Sequence, residues 1–291
     1  MGKIIKVSDE IFDKQLEQLP KEVTFCKKCV ISNQRPRIRW SLKEDGVCSA
    51  CDYAYEKDNE IDWDERERQL QKVCDEHRSA NGSWDVIVPS SGGKDSGMVA
   101  HKLKYKYGMH PLTITWAPFI YTEIGWKNFI ALKDKGFDNI LVHPDGILHR
   151  KLSLLAFDLH GDAWDPFGYG QQYLAYHLSV KYNIPLIFFG ENGEIEYGGE
   201  DKHKNMVEAP MEDWEEIFYK GSSAQKLVDA GLKRNIFTKE EIASSSFDFY
   251  QPPKKEDLQR VGSRGHWMSY YERWTPQWNY YYAVENTGFT A

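Results

Sequence analysis

The 291-residue sequence predicts an α/β fold built on a doubly wound parallel sheet, and three observations carry that expectation. Val86-Ile87-Val88 is a β-branched apolar run, the mark of a short strand buried on both faces. It leads through Pro89 into the small glycine-bearing turn Ser90-Ser91-Gly92-Gly93-Lys94-Asp95-Ser96, and a helical stretch continues from Gly97 to Leu103. Beyond it, strand-like and helical stretches alternate, which implies parallel strands joined by helical crossovers, with ligands at the carboxyl edge of the sheet.

In chain order, residues up to about Lys21 form an amphipathic preface with Ile11, Phe12, Leu16 and Leu19 at helical spacing. Two C-x-x-C knuckles follow, Cys26-Lys27-Lys28-Cys29 and Cys48-Ser49-Ala50-Cys51, with 18 residues between them. Each knuckle turns two thiolates toward one ion, and the intervening stretch fits a small hairpin with turns at Arg35-Pro36-Arg37 and Lys43-Glu44-Asp45-Gly46. Four cysteines fill every position of a tetrahedral zinc site, so the metal is expected to be structural; a redox pair or an iron–sulfur cluster is the alternative. Residues 1–60 are taken as this zinc-binding module. Trp63, Leu70 and Val73 then mark an exposed helix from Asp62 to about His77, in which Cys74 is expected half-buried.

The α/β domain is expected over 61–200, with further strands at 111–116, 139–143 and 185–189. Helices are expected at about 124–135, after the Pro144-Asp145-Gly146 turn to about Leu159, and at 171–182 after a loop over 161–170. Residues 201–291 predict a helical, aromatic-rich segment with short helices at 211–218, 223–230 and 238–243. The last of these opens on a Thr238/Glu241 capping box. Eight aromatic rings crowd into 267–282, suited to packing a small core, to lining a sugar or nucleotide pocket, or to an interface.

The turn after Pro89 carries the chemistry. A strand, a tight glycine turn and a helix start gather backbone N–H groups and the positive end of a helix dipole at one point, which is a cradle for phosphate. It is not a Walker loop, because Asp95 follows Lys94 where Ser or Thr is required, and G-x-G-x-x-G is absent. The plain alternative is a glycine-rich turn with no ligand. Ser91, Gly92, Gly93 and Ser96, with Ser90 beside them, are expected on phosphate, and Lys94 is expected to act as an electrostatic clamp. Backbone groups around Thr115 and Trp116 are expected at an adenine edge, and Gly190 with Glu191 should enter from the loop after the fourth strand. Asp95 and Glu191 are the expected Mg²⁺ ligands; Glu194 and Glu196 lie in the same acidic stretch, whose plain alternative is a solvated turn.

Composition sets the bounds. Hydrophobic residues make up 41% and charged residues 28%, as in an ordinary globular chain. The net charge of −7 argues against a broad nucleic-acid footprint. No apolar run approaches the ~20 residues of a membrane span. Met1-Gly2-Lys3-Ile4-Ile5-Lys6 has no signal-peptide h-region and no myristoylation pattern, so a cytoplasmic location is expected.

Ser-Gly-Gly-Lys-Asp-Ser at 91–96 resembles the pyrophosphate loop of the ATP pyrophosphatases, or adenine-nucleotide alpha hydrolases. That resemblance implies a PP-loop type of sheet, cleavage of ATP between its α and β phosphates, and adenylylation of an acyl or amide oxygen. Two further stretches stand out, Phe-Gly-Glu-Asn-Gly-Glu-Ile-Glu-Tyr-Gly-Gly at 189–199 and Tyr-Tyr-Tyr-Ala-Val-Glu-Asn-Thr-Gly-Phe at 280–289. With these and the four cysteines, the chain from about Phe25 onward resembles the N-acetyl sugar amidotransferases of bacterial surface-polysaccharide (lipopolysaccharide O-antigen) synthesis. The resemblance implies conversion of an acetamido group on a nucleotide-activated sugar to an acetamidino group, with ATP, Mg²⁺ and structural Zn²⁺. It also implies a chain that is short at its C-terminus relative to the family.

Ammonia is expected from elsewhere. A glutaminase needs a nucleophilic Cys at its N-terminus or beside a His, whereas position 2 is Gly, four cysteines are assigned to metal and Cys74 lies in a charged helix. The resemblance agrees, implying a separate glutaminase and an ammonia-channelling subunit similar to those of imidazole glycerol phosphate synthase. Two other readings share the loop or the modules. One is a tRNA-thiolating or tRNA-lysidine enzyme, opposed by the acidic charge and by the lack of cysteines beyond Cys74. The other is a non-catalytic scaffold subunit.

Overall fold

The computed structural model describes residues 20–35, 38–209, 223–243 and 245–291. The expected preface around Ile11, Phe12, Leu16 and Leu19, the Pro36-Arg37 part of the first turn and the helix at 211–218 lie outside the described residues. The chain forms two compact units, Met1–Ile61 with Gly193–Asn205, and Asp62–Asn192 with Met206–Ala291. The smaller unit therefore draws in 193–205 from beyond the fourth strand, and the larger one keeps most of the aromatic-rich segment.

In the smaller unit the antiparallel bridge Phe25↔Ser32 closes over the first knuckle, and the bridge Trp40↔Cys48 closes a small hairpin that leads into the second. Helix α1 (Ser49–Asn59) starts inside the second knuckle. Cys26, Val47 and Cys48 form a small buried core edged by Ile31, Ile38 and Trp40. The 193–205 stretch is bonded to this hairpin and helix. The Arg39 guanidinium spans both oxygens of Asp201 and donates to the Gly199 carbonyl, while Ser49 Oγ donates to the Gly198 carbonyl at 2.6 Å. Lys57 Nζ meets Glu196 at 2.5 Å with both side chains nearly buried.

The larger unit opens with α2 (Trp63–His77), whose Asp62 cap accepts from the Glu65 amide at 2.9 Å. Next come β1 (Val86–Pro89), α3 (Lys94–Tyr105), β2 (Pro111–Trp116), α4 (Glu123–Asp134) and β3 (Asp138–Val142). Then follow α5 (Gly146–His160), α6 (Asp165–Tyr182), β4 (Leu186–Phe189), α7 (Ala224–Lys233), α8 (Lys255–Val261), β5 (Arg264–Trp267) and α9 (Pro276–Asn286). The five strands are all parallel, in the order β3-β2-β1-β4-β5. Successive residues of a strand face opposite ways, so the apolar runs feed two cores. Ile87, Ile114, Ile187 and Phe189 pack with α5 and α6 through Leu152, Tyr173 and Leu174. Val86, Val88, Leu186 and Phe188 pack with α2 and α3 through Leu70, Met98 and Leu103. Helices cover both faces, as the α/β expectation requires.

Four details differ from the sequence expectations. The segment 201–291 supplies a strand, β5, paired with β4 in the register Phe188↔His266 and Phe189↔Trp267. The loop at 161–170 is shorter than expected, because α6 starts at Asp165 with Pro166 in its first turn, where a missing N–H costs nothing. Helix α3 starts at Lys94, which puts Lys94, Asp95 and Ser96 in its first turn. Cys74 is fully buried with Leu70 on the inner face of α2. The Thr238/Glu241 capping box is formed as expected. No helix among the described residues is long and apolar enough to cross a membrane.

Candidate functional site

In this strand order the connections leaving β1 and β4 run to opposite sides, which opens a crevice at the carboxyl ends of those two strands. The 90–96 turn sits there. Its entry is fixed by the sheet: the Ser90 amide donates to the Ile114 carbonyl at 2.7 Å, and Thr115 Oγ1 donates to the Ser90 carbonyl. Asn139 Nδ2 in turn donates to Thr115 Oγ1 at 3.0 Å. Within the turn, Ser90 Oγ and Ser96 Oγ lie 3.0 Å apart, and the Gly92 amide points at Ser90 Oγ at 3.4 Å. Gly92 has φ +84°, and a Cβ there would stand 2.6 Å from the backbone of Phe129, so only glycine fits. Gly93 is the N-cap of α3 and offers no side-chain cap. The first amides of a helix have no partners within the helix, so α3 presents its N–H groups and its positive dipole end at this turn.

A cavity of about 500 Å³ opens here, lined by Ser90, Ser91, Gly93, Asp95 and Ser96, by Thr115 and Trp116, and by Gly190. The rings of Tyr121, Trp164 and Phe167 complete its wall. The turn and the ends of β1, β2 and β4 thus meet at one place. Thr115 is present through the loop it anchors, its side chain being taken up by Ser90 and Asn139. The Trp116 ring is buried and packs against α6 at Gly170.

The charged groups pair locally. Lys94 Nζ contacts Asp95 Oδ2, and Asp95 Oδ1 accepts from Asn279 Nδ2 at 3.0 Å. Glu191 Oε2 accepts from the Trp274 indole N–H at 3.0 Å. Asn279 and Trp274 are contributions that the sequence reading did not single out as site residues. Both lie within the aromatic run at 267–282, but that run drew attention to its rings and not to Asn279 between Trp278 and Tyr280. Glu196 is held by Lys57 in the smaller unit. A third buried group near the β2 end is His149, whose Nδ1 lies 2.7 Å from the Tyr250 hydroxyl. Burial lowers its pKa to about 4, so it is neutral at pH 7.

The second site is the cysteine cluster in the smaller unit. The sulfurs of Cys26, Cys29, Cys48 and Cys51 all lie within 4.8 Å of one another, and this is the one group of three or more metal-ligating side chains among the described residues. Cys26 and Cys51 are 3.9 Å apart and Cys29 and Cys48 3.6 Å apart. Tetrahedral zinc with bonds of about 2.3 Å would set sulfurs about 3.8 Å apart, so the donor set fits that ion. Burial opposes ionisation of Cys26, but the amides of Lys28 and Cys48 donate to its sulfur and bring its pKa down to about 6. Burial pushes the Cys48 and Cys51 thiols upward.

No protein-family model matches the sequence, and no curated protein matches it.

Proposed function

We propose that the chain is an ATP-dependent amidotransferase of the PP-loop type, acting on the acetamido group of a nucleotide-activated sugar. The observation that carries this reading is the uncapped, glycine-bearing start of α3 at the β1/β4 crevice, opening onto a cavity beside Lys94 and Asp95. That arrangement suits a leaving diphosphate, whose charge the turn amides and Lys94 would stabilise as the bond to the α phosphorus breaks. The amide oxygen attacks that phosphorus and pyrophosphate departs. Ammonia then adds to the activated carbon, and the oxygen leaves with AMP. The net change is amide, ammonia and ATP to amidine, AMP and pyrophosphate. Mg²⁺, held by Asp95 and Glu191, would neutralise phosphate oxygens. Zinc on the four cysteines would be structural, since no ligand position is left open. Ammonia would come from a separate glutaminase in the cytoplasm. The test is pyrophosphate release from ATP with ammonium chloride and a panel of acetamido sugar nucleotides. AMP and pyrophosphate forming in step with an amidine is the expected result, and their absence with every sugar rejects the reading.

A further inference from the structure

The two oxygens of Asp95 have different partners. Oδ2 meets the half-exposed Lys94 ammonium, whereas Oδ1 accepts from Asn279, which is 1% exposed and fixed in the first turn of α9. Glu191 is held in a similar way by Trp274, itself 2% exposed. The Trp274 ring lies 3.1 Å from where a Cβ on Gly190 would stand, and the Cβ of Asp95 is 3.9 Å from that same point, so Asp95 and the ring that holds Glu191 both pack against Gly190. The same stretch also clamps the backbone after β4. Ser269 Oγ accepts from the Asn192 amide at 2.9 Å, and the Ser269 amide donates to the Gly190 carbonyl at 3.1 Å. Helix α9 is seated independently of these bonds: Thr287 packs on Gly97 of α3, and Asn128 of α4 exchanges hydrogen bonds with Thr290 at 2.7 and 2.9 Å.

We propose that Asn279 and Trp274 are positioning residues for a divalent cation. Asn279 holds Asp95 by Oδ1 and so presents Oδ2, the oxygen that Lys94 gives up on moving to phosphate. Trp274 fixes the orientation of the Glu191 carboxylate through its indole N–H. This rests on the reading that a magnesium nucleotide occupies the cavity.

The test is calorimetric binding of ATP to the full chain at graded free Mg²⁺, using Asn279→Ala and Trp274→Phe; the latter keeps an aromatic ring but removes the indole N–H and part of the ring's bulk. Each variant should raise the Mg²⁺ needed for half-maximal nucleotide binding about tenfold. Nucleotide affinity in EDTA should stay within about twofold of the wild type, because these residues touch no phosphate. A purely structural role would weaken binding with and without metal together, and that result, or variants indistinguishable from wild type, overturns the proposal. Wild-type protein that takes up no ATP at any Mg²⁺ level overturns the underlying reading instead.

Discussion

Gly92 is where a single atom decides whether the turn can form. Its φ of +84° belongs to the left-handed region, and its Cβ position falls 2.6 Å from the Phe129 backbone, which cannot swing aside as a side-chain tip would. Gly92→Ala should cost about 2 kcal/mol or more of stability and abolish nucleotide uptake. A urea midpoint and affinity equal to wild type would show that the turn tolerates the methyl group. Two buried histidines set a second residue-level expectation. Burial holds His149 near pKa 4, and burial, reinforced by His77 and Arg264, holds His266 there too. The unfolded chain, with ordinary histidines near 6.5, therefore binds more protons than the fold between pH 6.5 and 4. The stability these groups contribute is complete above pH 6.5 and is lost as the pH falls toward 4, at up to about 1.4 kcal/mol per pH unit for each. Urea midpoints at pH 7 and pH 5 read this slope; a variant carrying His149→Leu and His266→Leu should show a shallower one, and an unchanged slope would exclude it.

At the scale of elements, the turn is suspended from the β2–β3 pair by a polar ladder. Asn139 donates to Thr115, Thr115 donates to the Ser90 carbonyl, and Thr115 is buried. Thr115→Val keeps the shape but strands the Ser90 carbonyl, at about 1–3 kcal/mol, and leaves the Asn139 amide with only its Thr113 partner. Combining it with Asn139→Ala should cost less than the two single losses added together, because the second change removes a group that has already lost one of its two threonine partners. Strict additivity in denaturation would show that the ladder is not connected. The elements also explain what could be foreseen. Strands β1, β2 and β4 are central and buried on both faces, so their apolar runs announced them, and the turn was legible because its glycines and helix start are local chemistry. Strand β5 is an edge strand reading Arg264-Gly265-His266-Trp267, with no apolar run, and it exists through pairing with β4. The Asn279–Asp95 bond joins residues 184 apart, a meeting set by how α9 packs on α3 and written in no local pattern.

At the scale of the molecule, the sheet unit has two extensive cores, whereas the cysteine unit has, among the described residues, one small apolar cluster of Cys26, Val47 and Cys48, with Tyr53 and Ile195 buried outside it. A core that small does not offset the entropy of ordering its chain, so the folding of this unit should depend on the zinc proposed for its four cysteines. Removing zinc with a strong chelator should therefore open 20–61 to protease. It should also open 193–205, far away in sequence, because Arg39–Asp201, Ser49–Gly198 and Lys57–Glu196 tie that stretch to the hairpin and α1. Residues 62–192 should stay resistant, since their cores contain no cysteine ligand. Lys57→Ala separates the two causes. It takes the Lys57 ammonium away from the nearly buried Glu196 carboxylate, a loss of up to about 3–5 kcal/mol for a buried pair, while all four cysteines remain. That variant should keep about one zinc per chain and be cut in 193–205 alone. Cleavage confined to 20–61 after chelation would show that the metal does not hold the stretch beyond β4.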